Sequence, residues 1–163
     1  MSGVERAVVL MRHGEALPTF AHPERPLTRH GRAEAMESAR WIAERVDGVA
    51  EVHHSSLLRS RQTAEIVAEE LARAGCRRPE LREAALGPGA DPDTIAGDLD
   101  LDPRPVVLVG HVPFLDRLVH DMAGASVLER LGTFGTAMAL CLVRRDSAWE
   151  LDWIFAPETI HRR

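Results

Sequence analysis

The chain has 163 residues, 45% hydrophobic and 28% charged, with a formal net charge of -5. That suits one domain, residues 1–163, with an ordinary core. The acidic balance argues against nucleic-acid binding, no apolar run is long enough to span a bilayer, and the N-terminus lacks a signal-peptide pattern. Cys76 and Cys141 have no CxxC spacing. They read as reduced thiols of a cytoplasmic protein, with neither a disulfide nor a zinc site expected.

In chain order, Val8-Val9-Leu10-Met11 is a buried-strand pattern that stops at Arg12-His13-Gly14. A Pro-containing loop follows, from Leu17 to Leu27. Thr28 is a plausible N-cap for a helix to about Val46, with Met36, Ala39, Ala43 and Val46 on its buried face. A short strand is expected near Val49 to His53. A second helix spans Leu57 to Ala74, stopped by Gly75. Pro79, Gly87, Pro88, Gly89, Pro92 and Pro103 make 76–105 an irregular stretch with one short helix near Asp93 to Leu99. Val106 to Val109 is a second buried strand ending in Gly110-His111. A helix from Pro113 to Ala123 follows, with Pro113 in its first turn and Gly124 ending it. Two late strands are predicted. Ala137 to Val143 is almost continuously apolar. Trp149, Leu151, Trp153 and Phe155 alternate with Glu150, Asp152 and Ile154, as for a strand with one buried face. Arg145-Asp146-Ser147 is the turn between them. Strands alternating with helices predict a three-layer α/β/α sandwich around a mostly parallel sheet.

Two histidines at two strand tips suggest a phosphoryl pocket, because open α/β sheets bind ligands at such tips. A neutral His13 ring nitrogen can attack phosphorus and hold it covalently. Arg12 can neutralise the phosphoryl charge and fork its oxygens. Gly14 would let the backbone turn tightly beside the ligand. Arg59 stands near the start of a predicted helix, where the dipole favours anions, and a bound phosphate would resolve that mismatch. His111 can donate to a phosphoryl oxygen as imidazolium, with the Val112 N–H as a further donor. Arg61 reads as solvated. His53-His54 could mimic a metal site but has no third ligand with convincing spacing, so a structural role is expected. His30, His120 and His161 read as structural. Gly87-Pro88-Gly89 is a turn and not a nucleotide loop.

Arg12-His13-Gly14-Glu15-Ala16, Pro26-Leu27-Thr28 with Gly31 and Ala35, Ser55-Ser56-Leu57-Leu58-Arg59 with Thr63-Ala64, and Gly110-His111 occur in that order. Together they resemble the histidine phosphatase superfamily, whose fold is phosphoglycerate mutase-like. The short length and the C-terminal pattern through Trp153 look like the SixA-type phosphohistidine phosphatases. The resemblance implies His13 as nucleophile, and Arg12, Arg59 and His111 as the rest of the phosphate pocket. It implies no metal and no organic cofactor, since the cations supply the charge stabilisation. Many superfamily members protonate the leaving oxygen with a carboxylic acid. Glu83 is the nearest candidate here, with Asp91 behind it. The lack of a sharp acid motif tilts the expected substrate toward phosphohistidine on a protein partner, whose P–N bond is labile. The alternative is a phosphatase of small phosphoesters using Glu83 or Asp91. A non-catalytic phosphate-binding module is the reading from another class, and the presence of all four pocket residues argues against it.

Overall fold

The computed structural model describes residues 6–99 and 101–158. The element order is β1 (Arg6–Arg12), α1 (Arg29–Arg45), β2 (Glu51–His54), α2 (Leu58–Arg73), β3 (Glu80–Glu83), α3 (Pro92–Leu99), β4 (Val106–Gly110), α4 (Phe114–Ala123), α5 (Ala125–Leu131), β5 (Ala139–Arg145) and β6 (Ala148–Phe155). They form one six-stranded sheet in the order β3-β2-β4-β1-β5-β6. Strands β3, β2, β4 and β1 are mutually parallel, and only β5 runs the other way. The architecture is thus the expected three-layer α/β sandwich with a mixed, mostly parallel sheet.

Central strands are apolar on both faces because both faces are covered. Val9 and Met11 of β1 and Val107 and Val109 of β4 pack with Ala35, Ala39, Ile42, Ala64, Val67 and Leu71 of α1 and α2. Val8, Leu10, Val106 and Leu108 pack on the other face with Ile95, Leu99, Phe114, Leu115 and Leu118 from α3 and α4. The Thr28 cap is present: its hydroxyl accepts the Gly31 N–H at 2.9 Å. Asp146 and Ser147, at φ 51° and 68°, form the two-residue turn of the β5–β6 hairpin. Positive φ at both central positions matches the hairpin to the right-handed strand twist.

Four expectations change. The 76–105 stretch contains β3, an exposed edge strand whose Glu80-Leu81-Arg82-Glu83 sequence has no apolar alternation to reveal it. Residues 125–131, left without an element by the sequence, form α5. Pro113 stands just before α4, after a cis Val112–Pro113 bond, and the helix starts at Phe114. Strand β6 does not bury a single face. Cys141 pairs with Trp153 and Leu142 with Leu151, so Asp152 is an extra residue, a β-bulge. Trp149, Leu151 and Ile154 therefore pack toward α4, while Trp153 joins the α1 side. There Trp41 stacks on Phe155 at 4.5 Å and meets Trp153 edge-on at 6.1 Å.

Candidate active site

Sheet order brings the strand tips together. Arg12 is the register partner of Gly110, and the His13 N–H extends the ladder to the Gly110 carbonyl at 3.1 Å. The next residues on the two strands, His13 and His111, are therefore neighbours, with ring centroids 5.0 Å apart. Strand β2 flanks β4 on its other side with His54 opposite Val109, which places Ser55 against His111. The Ser55 hydroxyl lies 2.7 Å from His111 Nε2, leaving Nδ1 as the nitrogen free to meet an oxyanion.

Helix α2 is tied to these tips by its own hydroxyls. Ser60 accepts the Ser55 N–H at 2.9 Å and donates to the Val109 carbonyl at 2.8 Å. Thr63 accepts the Gly14 N–H at 3.0 Å and donates to the Arg59 carbonyl at 2.8 Å. Arg59 is thus held in the first turn of α2 beside His13. That turn has no side-chain cap and no acidic residue. Gly14 keeps an ordinary φ, and its reason differs from the expected turn: a Cβ there would sit 2.5 Å from the Gly31 carbonyl oxygen, at the start of α1.

His13 is 5% exposed, and its Nδ1 lies 2.7 Å from the Gly14 carbonyl. A carbonyl only accepts, so Nδ1 carries the hydrogen and Nε2 keeps its lone pair. Burial pushes the His13 pKa down to about 3, despite that hydrogen bond, with further depression from His111, Arg59 and Arg12. Burial, then Arg59, Arg12 and Arg25, push His111 down to about 4. Both rings are neutral near pH 7 until an anion arrives. Arg12 Nη1 donates to the Phe134 carbonyl at 2.8 Å. Arg12 Nε and Arg59 Nε are buried N–H donors without a protein partner. Such donors suit an anion with several acceptor oxygens.

The sequence reading missed three contributors. Ser55 holds His111. Arg25, in the loop before α1, adds positive charge felt by Arg12, Arg59 and His111, and its Nε is fixed on the Leu17 carbonyl at 2.9 Å. Arg25 has φ 53°, an uncommon conformation for a side-chain-bearing residue, imposed by the loop whose base Ala16 and Leu27 clamp with a β-bridge. Asp116, half-buried in the first turn of α4, also senses Arg12. No local sequence signal marks these residues, except that Ser55 sits inside a motif already noted.

Other sequence candidates lie elsewhere. Exposed Glu83 pairs with His54 at the sheet edge and lines a cleft with Arg6, His53 and Arg82. Asp91 accepts the Asp93 N–H at 3.0 Å at the start of α3. Neither is among the charges acting on Arg12, His13, Arg59 or His111. Val112 is half-buried beside His111, and its N–H makes no hydrogen bond within the described residues. His53 faces Glu51 at 3.4 Å, whereas His54 Nδ1 donates to the Ser55 carbonyl at 2.8 Å, so the adjacent pair does not converge. His30 lies 3.6 Å from Glu34 and His120 3.7 Å from Asp121, while His161 lies outside the described residues. Among the described residues no three His, Cys, Asp or Glu side chains gather as a metal site, and no helix is long and apolar enough to cross a membrane.

Solved structures share this fold. The protein histidine phosphatase SixA complexed with tungstate superposes with a TM-score of 0.77 at 23% identity, covering 94% of this chain and 99% of that one. The SixA protein of Agrobacterium tumefaciens gives 0.77 at 23% identity, covering 95% and 100%. A mycobacterial glucosyl-3-phosphoglycerate phosphatase gives 0.67 at 20% identity, covering 93% and 99%. No curated protein matches the chain. The family model of the histidine phosphatase superfamily (branch 1) matches residues 8–99, a span that holds the first strand tip, the α2 arginine and the segments that tie them together, and the chain belongs to that superfamily.

Proposed function

We propose that this protein is a phosphatase that removes the phosphoryl group from phosphohistidine on a partner protein, through a covalent intermediate on His13. The observation that carries the reading is the fixed tautomer of His13: Nδ1–H is held by Gly14, so Nε2 carries its lone pair at the strand tip, where Arg12 and Arg59 act on the ring. Nε2 bonds phosphorus as the P–N bond to the substrate ring breaks; that ring keeps the electron pair and leaves as neutral imidazole, with a proton taken up at its other nitrogen. Arg12 and Arg59 take the phosphoryl oxygens on their guanidinium N–H groups. His111 adds a donor from Nδ1 once the phosphoryl charge has drawn a proton onto the ring. Water then hydrolyses phospho-His13. These cations supply the charge stabilisation for which other phosphatases use a metal ion, so metal-independent turnover is part of the proposal.

The preference for phosphohistidine over phosphoesters rests on two features. A labile P–N bond makes smaller demands on a proton donor than an alkoxide leaving group does. Glu83 and Asp91 are also not among the charges felt by the four pocket residues. The likeness of fold to SixA is consistent with this reading. The test is a paired turnover assay in the presence of chelator, with a phosphohistidine peptide and a panel of small phosphoesters, each with His13→Ala as control. Strong preference for phosphohistidine, abolished in the variant, is expected. Preference for phosphoesters would replace this reading with that of a general phosphatase, and undiminished turnover by His13→Ala would refute the nucleophile.

A further inference from the structure

The segment between β1 and α1 leaves the pocket and returns to it. Residues 17–26 form a loop whose ends are clamped together. Ala16 and Leu27 make a β-bridge, and the Leu17 N–H donates to the Pro26 carbonyl at 2.9 Å. The outgoing end stands just past His13. The returning end is fixed to another wall of the pocket, where the Leu27 N–H donates at 2.8 Å to Gln62 Oε1, one turn of α2 after Arg59. Arg25, on the returning arm, holds the Leu17 carbonyl, and its charge is felt at Arg12, Arg59 and His111. The loop therefore stands on the rim of the strand-tip pocket.

Its tip, residues 18–24, is exposed throughout, and Phe20 at its centre is 94% exposed. A whole phenyl ring in water at the mouth of a site is unfavourable surface that burial against a partner removes. The tip is also built to hold one shape. The Pro18 carbonyl accepts the Ala21 and His22 N–H groups at 3.0 and 3.1 Å, and the His22 carbonyl accepts the Arg25 N–H at 3.0 Å. Pro18, Pro23 and Pro26 fix φ at their positions. A preformed tip loses little entropy on docking. Leu81 and Leu101 are the other exposed large apolar side chains among the described residues, and they lie on edge strand β3 and at the opposite end of β4. The segments framing the mouth are basic in a chain of net charge -5. Residues 17–32 and 55–63 carry Arg25, Arg29, Arg32, Arg59 and Arg61 against Glu24 alone, and Arg29, Arg32 and Arg61 are exposed.

We propose that the 17–26 loop is the docking element for the protein that presents the phosphohistidine: Phe20 buries in an apolar patch of that protein, and the exposed arginines face acidic side chains around it. The proposal rests on the phosphohistidine reading above. Phe20 is four residues from Ala16, so it lies at most about 14 Å from the base of the loop. A standard footprint of about 800 Å² covers a patch of about 16 Å radius. A protein whose phosphohistidine reaches His13 therefore meets the loop. A second copy of this chain seated on Phe20 would stand at the mouth of the pocket, so the occupant is the substrate and not a permanent subunit.

The test measures kcat/KM for wild type, Phe20→Ser and Phe20→Trp on free phosphohistidine and on two peptides. One peptide carries phosphohistidine among leucine and glutamate residues, the other among glycine and serine residues. Phe20 is nearly all in solvent, so these variants remove no core contact. Wild type should prefer the leucine–glutamate peptide by about 10–100-fold, as for burial of one phenyl ring, and by less as salt rises. Phe20→Ser should lose that preference while keeping its rate on free phosphohistidine, and Phe20→Trp should retain it. Equal wild-type rates on the two peptides, or a preference undiminished in Phe20→Ser, overturns the proposal. An equal loss on free phosphohistidine overturns it as well, since the loop would then shape the pocket itself. So does a wild-type dimer in sedimentation that Phe20→Ser dissociates, which would assign the surface to a second copy. If no phosphohistidine compound turns over, the reading above fails instead, and the same peptides carrying phosphoserine decide Phe20.

Discussion

Lowering the pH from 7 to 5 tests the electrostatics of the site through stability. Unfolded imidazole takes up a proton below about 6.5, whereas the His13 ring in the folded protein stays neutral down to about 3 and His111 to about 4. Between those limits the unfolded chain binds more protons, so stability is full above the unfolded value and falls as the pH falls. Linkage gives a loss of about 2 kcal/mol for each histidine between pH 7 and pH 5, about 4 kcal/mol for the pair. Both rings are almost wholly buried, so solvent screening takes little from this. The assay is urea unfolding at the two pH values for wild type, His13→Gln, His111→Gln and the double variant. Each single variant should lose about half of the pH dependence attributed to the pair. Glu34, whose pKa burial raises, acts in the opposite sense in all four proteins and cancels in the comparison. A double variant with the wild-type pH dependence would refute the depressed pKa values and, with them, the neutral nucleophile.

Other outcomes follow from the same geometry. Arg59→Ala should lower kcat about 10²–10³-fold, as for other preorganised charge-stabilising groups, with its unfolding midpoint near wild type; a loss of only a few-fold in steady-state kinetics would remove Arg59 from the transition state. Phosphate binding should take up a proton at His111 near neutral pH, seen in calorimetry as a binding heat that changes with buffer ionisation enthalpy, and this dependence should vanish in His111→Gln. Gly31→Ala should destabilise by about 1–3 kcal/mol or more in chemical unfolding, because its Cβ would overlap the Glu15 carbonyl. Gly97→Ala, in α3 with open space around it, should instead be neutral or stabilising by about 0.4–1 kcal/mol.

Local chemistry carried much of this architecture. The unbroken apolar runs before Arg12-His13 and Gly110-His111 announced strands covered on both faces, and Thr28 announced the start of α1, because periodicity and capping are written within a few residues. Arg59 was legible as a cation where a helix start favours an anion. Long-range packing decided the rest. That β4 lies between β1 and β2, bringing His13 beside His111 and Ser55 against it, depends on sheet order, which no short window encodes. Strand β3 was hidden because an exposed edge needs no apolar alternation, and the bulge at Asp152 reversed the faces predicted for Trp153 and Ile154. Arg25 and Asp116 are charged residues that look solvent-facing in isolation. Only the folding of their loop and helix over the strand tips places them near Arg12, since electrostatic coupling depends on distance in space and not along the chain.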